Sequence, residues 1–150
     1  MADSTRQQII DAVKARLEAI RQGATFQTDT GYVVYVNESP ALGPDDPDTA
    51  IAVAIGDDIP QWHGEQVLLT LPMEINAVAS DQIRDAWRAV EPVLADIKRA
   101  IELEDRFLGG LLKYRLSRHS TRTLPRDEGS TTVGVGITYH FEYAEVWGQP

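Results

Sequence analysis

The sequence predicts an α+β fold: a mainly antiparallel β-sheet with an N-terminal helix and one long central helix packed on it, closed by a β-hairpin. Three observations predict it. Apolar residues recur at helical spacing in two well-separated segments. The apolar runs between them have strand length and end in proline, glycine or aspartate. The C-terminal stretch "TTVGVGITYHFEY" alternates strictly between apolar and other positions. No internal repeat, low-complexity tract or linker divides the chain, so residues 1-150 are expected to form one domain.

The first helix opens after Asp3, Ser4 and Thr5, where Ser4 with Gln7 or Thr5 with Gln8 has the spacing of a capping box. Ile9, Ile10, Val13, Leu17 and Ile20 share one face, and Gly23 suits the stop. "GYVVYVNES" reads as a strand closed by Pro40, and "SPALGPDDPD" as a loop. "AIAVAIG" is a short strand, Asp57 to Gly64 a second irregular loop, and "EQVLLTLPMEINAVA" a longer strand in which Pro72 calls for an edge or a bulge. Ser80 is the expected N-cap of the long helix, with Asp81 and Asp85 near its N-terminus. Its apolar stripe is Ile83, Trp87, Val90, Leu94, Ile97 and Ile101, continuing in phase through a kink at Pro92. Gly109 or Gly110 can take the left-handed conformation that ends this helix and turns the chain into the hairpin. The hairpin joins "LLKYRLSRHSTRT" to the alternating C-terminal strand through "LPRDEGS".

Composition excludes several classes. There is no cysteine, so no disulfide framework and no thiolate metal site. "MADSTRQQ" has no apolar signal core and no run has bilayer-spanning length, so a soluble protein without a cleaved signal or membrane contact is expected. A net charge of -9 opposes general affinity for nucleic acid. The charge is uneven: Glu38 to Asp58 holds acids and no Lys or Arg, whereas Arg106 to Arg126 holds Arg106, Lys113, Arg115, Arg118, Arg122 and Arg126 and no acid. Two solvated faces would account for such poles.

Motifs of catalysis and ligand binding fail one by one. No G-x-S-x-G elbow exists. His63, His119 and His140 sit in three elements without ligand spacing. Asp45, Asp46 and Asp48 lack the central glycine and terminal glutamate of a calcium loop, and Pro47 interrupts them. Gly109-Gly110 comes after a helix rather than opening one, so it is no phosphate loop. Gly134 and Gly136 lie in a strand and lack the third glycine of a dinucleotide fingerprint. They mark a strand face that another backbone or subunit can approach, or else a weakened exposed one. Acid pairs such as Asp57-Asp58 have no convergent partner. No catalytic residue, cofactor or metal ligand is expected.

The short amphipathic N-terminal helix, the interrupted strands with a proline- and acid-rich loop, the passage "IELEDRFLGGLLKY" and the closing "VGVGITYHFEY" resemble the tail terminator proteins of long-tailed bacteriophages and prophages, also called minor tail or tail completion proteins. The resemblance implies an α+β structural protein that assembles as a hexameric ring on the tail tube, stops tube growth and offers the surface that joins the head. It implies no cofactor and no catalysis. Implied partners are further copies of itself, the tail tube protein and a head-completion or connector protein, with DNA only in passage; the implied location is the virion tail, and the host cytoplasm during assembly. A closed ring needs a heterologous contact, and an acidic patch (Asp45, Asp46, Asp48) facing a basic one (Lys113, Arg115, Arg118, Arg122, Arg126) would supply it. "GPDDPDT" and "LPRDEGSTT" are expected to order on assembly. The alternatives are another neck component, such as a head-closure or connector protein, or a small α+β enzyme or ligand-binding domain. A pocket gathering His63, Asp57 and Asp58 would favour the enzyme.

Overall fold

The computed structural model describes residues 2–126 and 128–150. Asp127, in the expected hairpin tip, lies outside the described residues. The architecture is α+β, with helices α1 (Thr5–Glu18) and α2 (Ala86–Glu102) on a mostly antiparallel six-stranded sheet. Its strands are β1 (Val34–Val36), β2 (Thr49–Ile55), β3 (Ile59–His63), β4 (Gln66–Ser80), β5 (Ser117–Thr123) and β6 (Thr132–Val146). The order across the sheet is β1-β2-β4-β6-β5, with β3 continuing beyond β2 on the same side of β4. Only β1 and β2 run parallel among these pairs.

The spine is the ladder between β4 and β6, in register from Gln66↔Val146 to Ser80↔Thr132. Side chains of a strand alternate between faces, so the odd residues of both strands share the face that the helices cover. Leu71, Met73, Ile75, Ile137, Tyr139, Phe141 and Tyr143 are buried there against Ile9, Leu17, Val90, Val93, Ile97 and Ile101. Ser4 caps α1 as its spacing predicts, its Oγ accepting from the Gln7 N–H at 3.2 Å.

Four expectations are corrected. The strand expected over "GYVVYVNES" shrinks to β1, preceded by a 3-10 turn at Thr30–Tyr32. Gly31 there packs so tightly on the end of α1 that a Cβ would lie 2.6 Å from the Ile20 carbonyl. The loop expected from Asp57 to Gly64 contains β3, joined to β4 through Gly64 and Glu65, with Gly64 at a φ of +60°. Pro72 stands in the central strand rather than at an edge or bulge. On one side of it β2 ends at Ile55 opposite Met73 and β3 begins at Ile59 opposite Thr70. The Pro72 carbonyl accepts from the Gly56 N–H at 2.8 Å in that gap, and its own nitrogen, which has no hydrogen, opens on the same gap where no strand asks for a donor. Finally, α2 begins at Ala86 behind a left-handed Asp85, while Ser80 remains in β4; Trp87, in the first turn, stays 46% exposed instead of joining the core.

A buried acid fixes the helix layer. Asp96, fully buried on α2, accepts hydrogen bonds from the Thr28 N–H at 2.8 Å, the Thr28 hydroxyl at 2.7 Å and the Gln27 N–H at 3.0 Å, and pairs with Arg99 at 2.9 Å. Charge-assisted bonds to otherwise orphaned N–H groups tie the irregular segment after α1 to α2.

Candidate functional site

The basic residues of the sequence's positive pole are placed around the β5–β6 hairpin, and three of them are occupied. Arg118 makes a bidentate pair with Glu102 at the end of α2 (2.6 and 3.1 Å), Arg122 one with Glu74 (2.6 and 2.9 Å), and Arg126 reaches Asp81 at 3.0 Å. Each of the three therefore has a carboxylate partner within its own chain, and none of these partners is Asp45, Asp46 or Asp48. The register makes this possible. A bulge at His119 sits between Arg118, opposite Tyr139 on the helix-covered face, and Arg122, opposite Gly136 on the other. Four residues apart in a regular strand, the two arginines would share one face; the extra residue sends them to opposite faces.

Glu102 also accepts from the Tyr139 hydroxyl at 2.6 Å. Burial works to raise its carboxyl, but the bonds from Arg118 and Tyr139 outweigh it and hold it below the usual carboxylate range. Burial and the Glu102 carboxylate together push the Tyr139 phenol well above its ordinary value. Burial and Asp58, whose Oδ2 lies 2.9 Å from the Tyr143 hydroxyl, do the same to Tyr143.

The acidic loop is engaged locally. Asp46 accepts from the Gly43 N–H at 2.7 Å, and the Asp48 carbonyl accepts from the Ser80 N–H at 2.8 Å. Leu42 from this loop packs with Ala50 and Val78 on the uncovered face, where Leu124 of the hairpin tip joins them. Loop and tip thus meet over the same sheet face within one chain. Between them lies an open cleft of about 710 Å³ with Ala52, Asn76, Glu74 and Arg122 among its lining. Of the two strand glycines, Gly134 lines it. A Cβ on Gly136 would collide with Asn76 Oδ1 and come within 2.9 Å of the Glu74 side chain, and one on Gly134 would lie 2.8 Å from Leu124. Their own chain makes these close approaches.

Gly109 and Gly110 both have positive φ, +68° and +89°. The helix ends earlier, at Glu102. Residues 103–116 then form a compact loop, closed by the Leu116 N–H on the Arg106 carbonyl (2.8 Å) and the Leu112 N–H on the Phe107 carbonyl (3.1 Å). Leu108, Leu112 and Leu116 anchor it in the core. Asp105 accepts from the N–H groups of Gly109 (2.7 Å) and Phe107 (3.2 Å), which lower its carboxyl, and lies near Arg16. Turned outward are Leu103, Phe107 and Tyr114, beside Arg106, Lys113 and Arg115, for which no ion pair exists among the described residues.

No protein-family model matches the chain, and no curated protein matches it.

A second exposed apolar surface lies at the far end of the β4–β6 ladder, where β3 runs along β4 with all five residues exposed. Trp62 stacks on Trp147 with ring centroids 4.6 Å apart and planes 12° from parallel, yet the two remain 62% and 55% exposed. Ile59 and Val146 are also exposed, but they stand opposite Thr70 and Gln66, on the other face of the sheet from Trp62. Asp57 and Glu65 are exposed nearby, and Glu145 shares the row of Trp62 and Val67; burial and Asp58 raise its carboxyl. The sequence signal for this surface is Gly64-Glu65, a two-residue turn with glycine first between two strand-length runs.

His63, Asp57 and Asp58 do not converge. His63 is on the exposed β3, Asp58 is held by Arg6 and Tyr143, and none of the three lines the cleft. The bulge does bring together two histidines that the sequence leaves apart: His119 and His140 stack at 4.4 Å. Burial and the neighbouring His119 lower His140. Among the described residues no three His, Asp or Glu come together as metal ligands, and no helix is long and apolar enough to cross a membrane.

Proposed function

We propose that this chain is a structural protein of phage tail assembly that caps the end of the tail tube, stops its polymerisation and provides the surface for head joining, as a hexameric ring. The observation that carries the proposal is the exposed aromatic end of the sheet. Large apolar side chains left exposed side by side mark surfaces that another protein covers, and the stacked Trp62 and Trp147 are such a pair. Tail tube protein and a head-completion protein are the further partners. The role includes no catalysis, and DNA is only a passenger: the net charge is -9, and the pairing of Arg118, Arg122 and Arg126 within the chain leaves Arg106, Lys113 and Arg115 as the unpaired cations of this basic stretch among the described residues, too few for a phosphate-gripping surface. Its location is the virion tail, and the bacterial cytoplasm during assembly.

Electron microscopy of tails assembled with and without the protein tests this. Overlong tails in its absence are expected. Tails of normal length that lack only heads would reassign it to the neck as a connector, and unchanged virions would end the proposal.

A further inference from the structure

The two exposed aromatic surfaces differ in charge and stand on opposite edges of one sheet. A single row crosses the distal half: Ile59 of β3 opposite Thr70 of β4, Thr70 opposite Glu142 of β6, and the Lys113 N–H on the Glu142 carbonyl at 2.8 Å. At an interstrand spacing of about 4.8 Å, the β3 edge and the 103–116 loop are separated by roughly 14 Å of sheet. The first surface carries the Trp62–Trp147 stack with Asp57, Glu65 and Glu145. No Lys or Arg occurs between Arg21 and Arg84 or after Arg126, and the nearby Arg6 is taken by Asp58. The second carries Phe107 and Tyr114 with Arg106, Lys113 and Arg115. Its own acids are Glu104, which is exposed, and Asp105, which is bound to backbone N–H groups and lies near Arg16.

We infer that these are the two halves of one contact, in which the acidic tryptophan end of one copy receives the basic loop of the next. The inference rests on the proposed function and names the ring's subunit interface. Opposite signs attract only across unlike patches, so the contact is heterologous; two unlike patches on opposite edges propagate head to tail and close when the rotation between copies allows. Buried aromatic anchors supply the affinity of such a contact and flanking charges its register and salt dependence. Pro60 in a five-residue edge strand blunts simple sheet extension, so the recognition is by side chains.

Sedimentation velocity of the purified full chain and two double variants tests the inference: Trp62→Ser with Trp147→Ser, and Lys113→Glu with Arg115→Glu. The parent is expected to form species larger than a dimer that weaken with salt. Each variant should lose self-association by at least about tenfold while keeping the parent's circular dichroism. The equimolar mixture should form a one-to-one pair, because each variant retains the half that the other lacks. Tyr114→Ala, a milder change in the loop, should weaken association in the same direction. A parent that stays monomeric at its highest soluble concentration overturns the inference. So does association unaffected by the loop variants, which would assign the tryptophans to a like-to-like pair or another protein, and so does a mixture that yields no pair. Tail length separates this from the functional proposal: a parent that self-associates through these surfaces but does not limit tails keeps the contact and loses the function.

Discussion

Asp96 shows how far one residue can organise a segment without regular structure. Its carboxylate satisfies the N–H groups of Gln27 and Thr28 and the Thr28 hydroxyl, all part-buried, while Arg99 balances its charge. Removing it strands those donors, so Asp96→Ala should cost about 3 kcal/mol in denaturant unfolding, and Asp96→Asn, which keeps an acceptor, should cost less. Within the sequence Asp96 is one acid between Ala95 and Ile97 on a helix, and its helical position alone gives no sign that a distant loop needs an acceptor. Gly136 is the complementary case. Its place in the alternating strand is legible, but the reason for glycine, the Glu74 and Asn76 side chains lying where a Cβ would be, is not.

Among elements, the β5 bulge carries the most consequence for the least sequence signal. Deleting His119 should restore a regular ladder and turn Arg122 towards the face of Arg118, leaving Glu74 unpaired. Double-mutant cycles then check the register: Arg122→Ala and Glu74→Ala should be coupled in the parent and uncoupled in the deletion variant. The long strands are legible because their period of two runs unbroken over many residues, and α1 because its cap and apolar face agree. The beginning of α2 is not, because Ser80 has good capping chemistry but is already held in the ladder opposite Thr132. β3 escapes a sequence reading because an edge strand with no buried residue has no alternation to display.

At the scale of the molecule, the ionisable groups beneath the helices and along the hairpin define a pH window. Tyr139 and Tyr143 are raised above their ordinary 10.0, so the stability they contribute is complete below pH 10 and is lost as pH rises beyond it, where the unfolded chain alone ionises. Glu102 is lowered from 4.5, so its contribution is complete above that value and is lost as pH falls through the folded one. His140, lowered from 6.5 beside His119, erodes stability in the same direction from pH 6.5 downward. Thermal melts across pH should therefore show a plateau between about 6.5 and 10. Tyr139→Phe should flatten the alkaline arm, and Glu102→Gln the acid one. A profile without an alkaline arm would contradict the buried, hydrogen-bonded placement of the two phenols.

The sequence by itself determined the α+β class, both helices, the long paired strands and the asymmetry of charge, because each of these is written in local periodicity, capping chemistry and composition. It did not determine which charges remain available. Arg118, Arg122 and Arg126 are indistinguishable from Lys113 and Arg115 in sequence, yet a bulge and three distant carboxylates neutralise the former within the chain and leave the latter outside on a closed loop. Likewise Trp62 and Trp147 become one surface only when β3 and the end of β6 flank β4. Such pairings are decided by register and strand order, which bring together residues dozens of positions apart, and no local pattern encodes them.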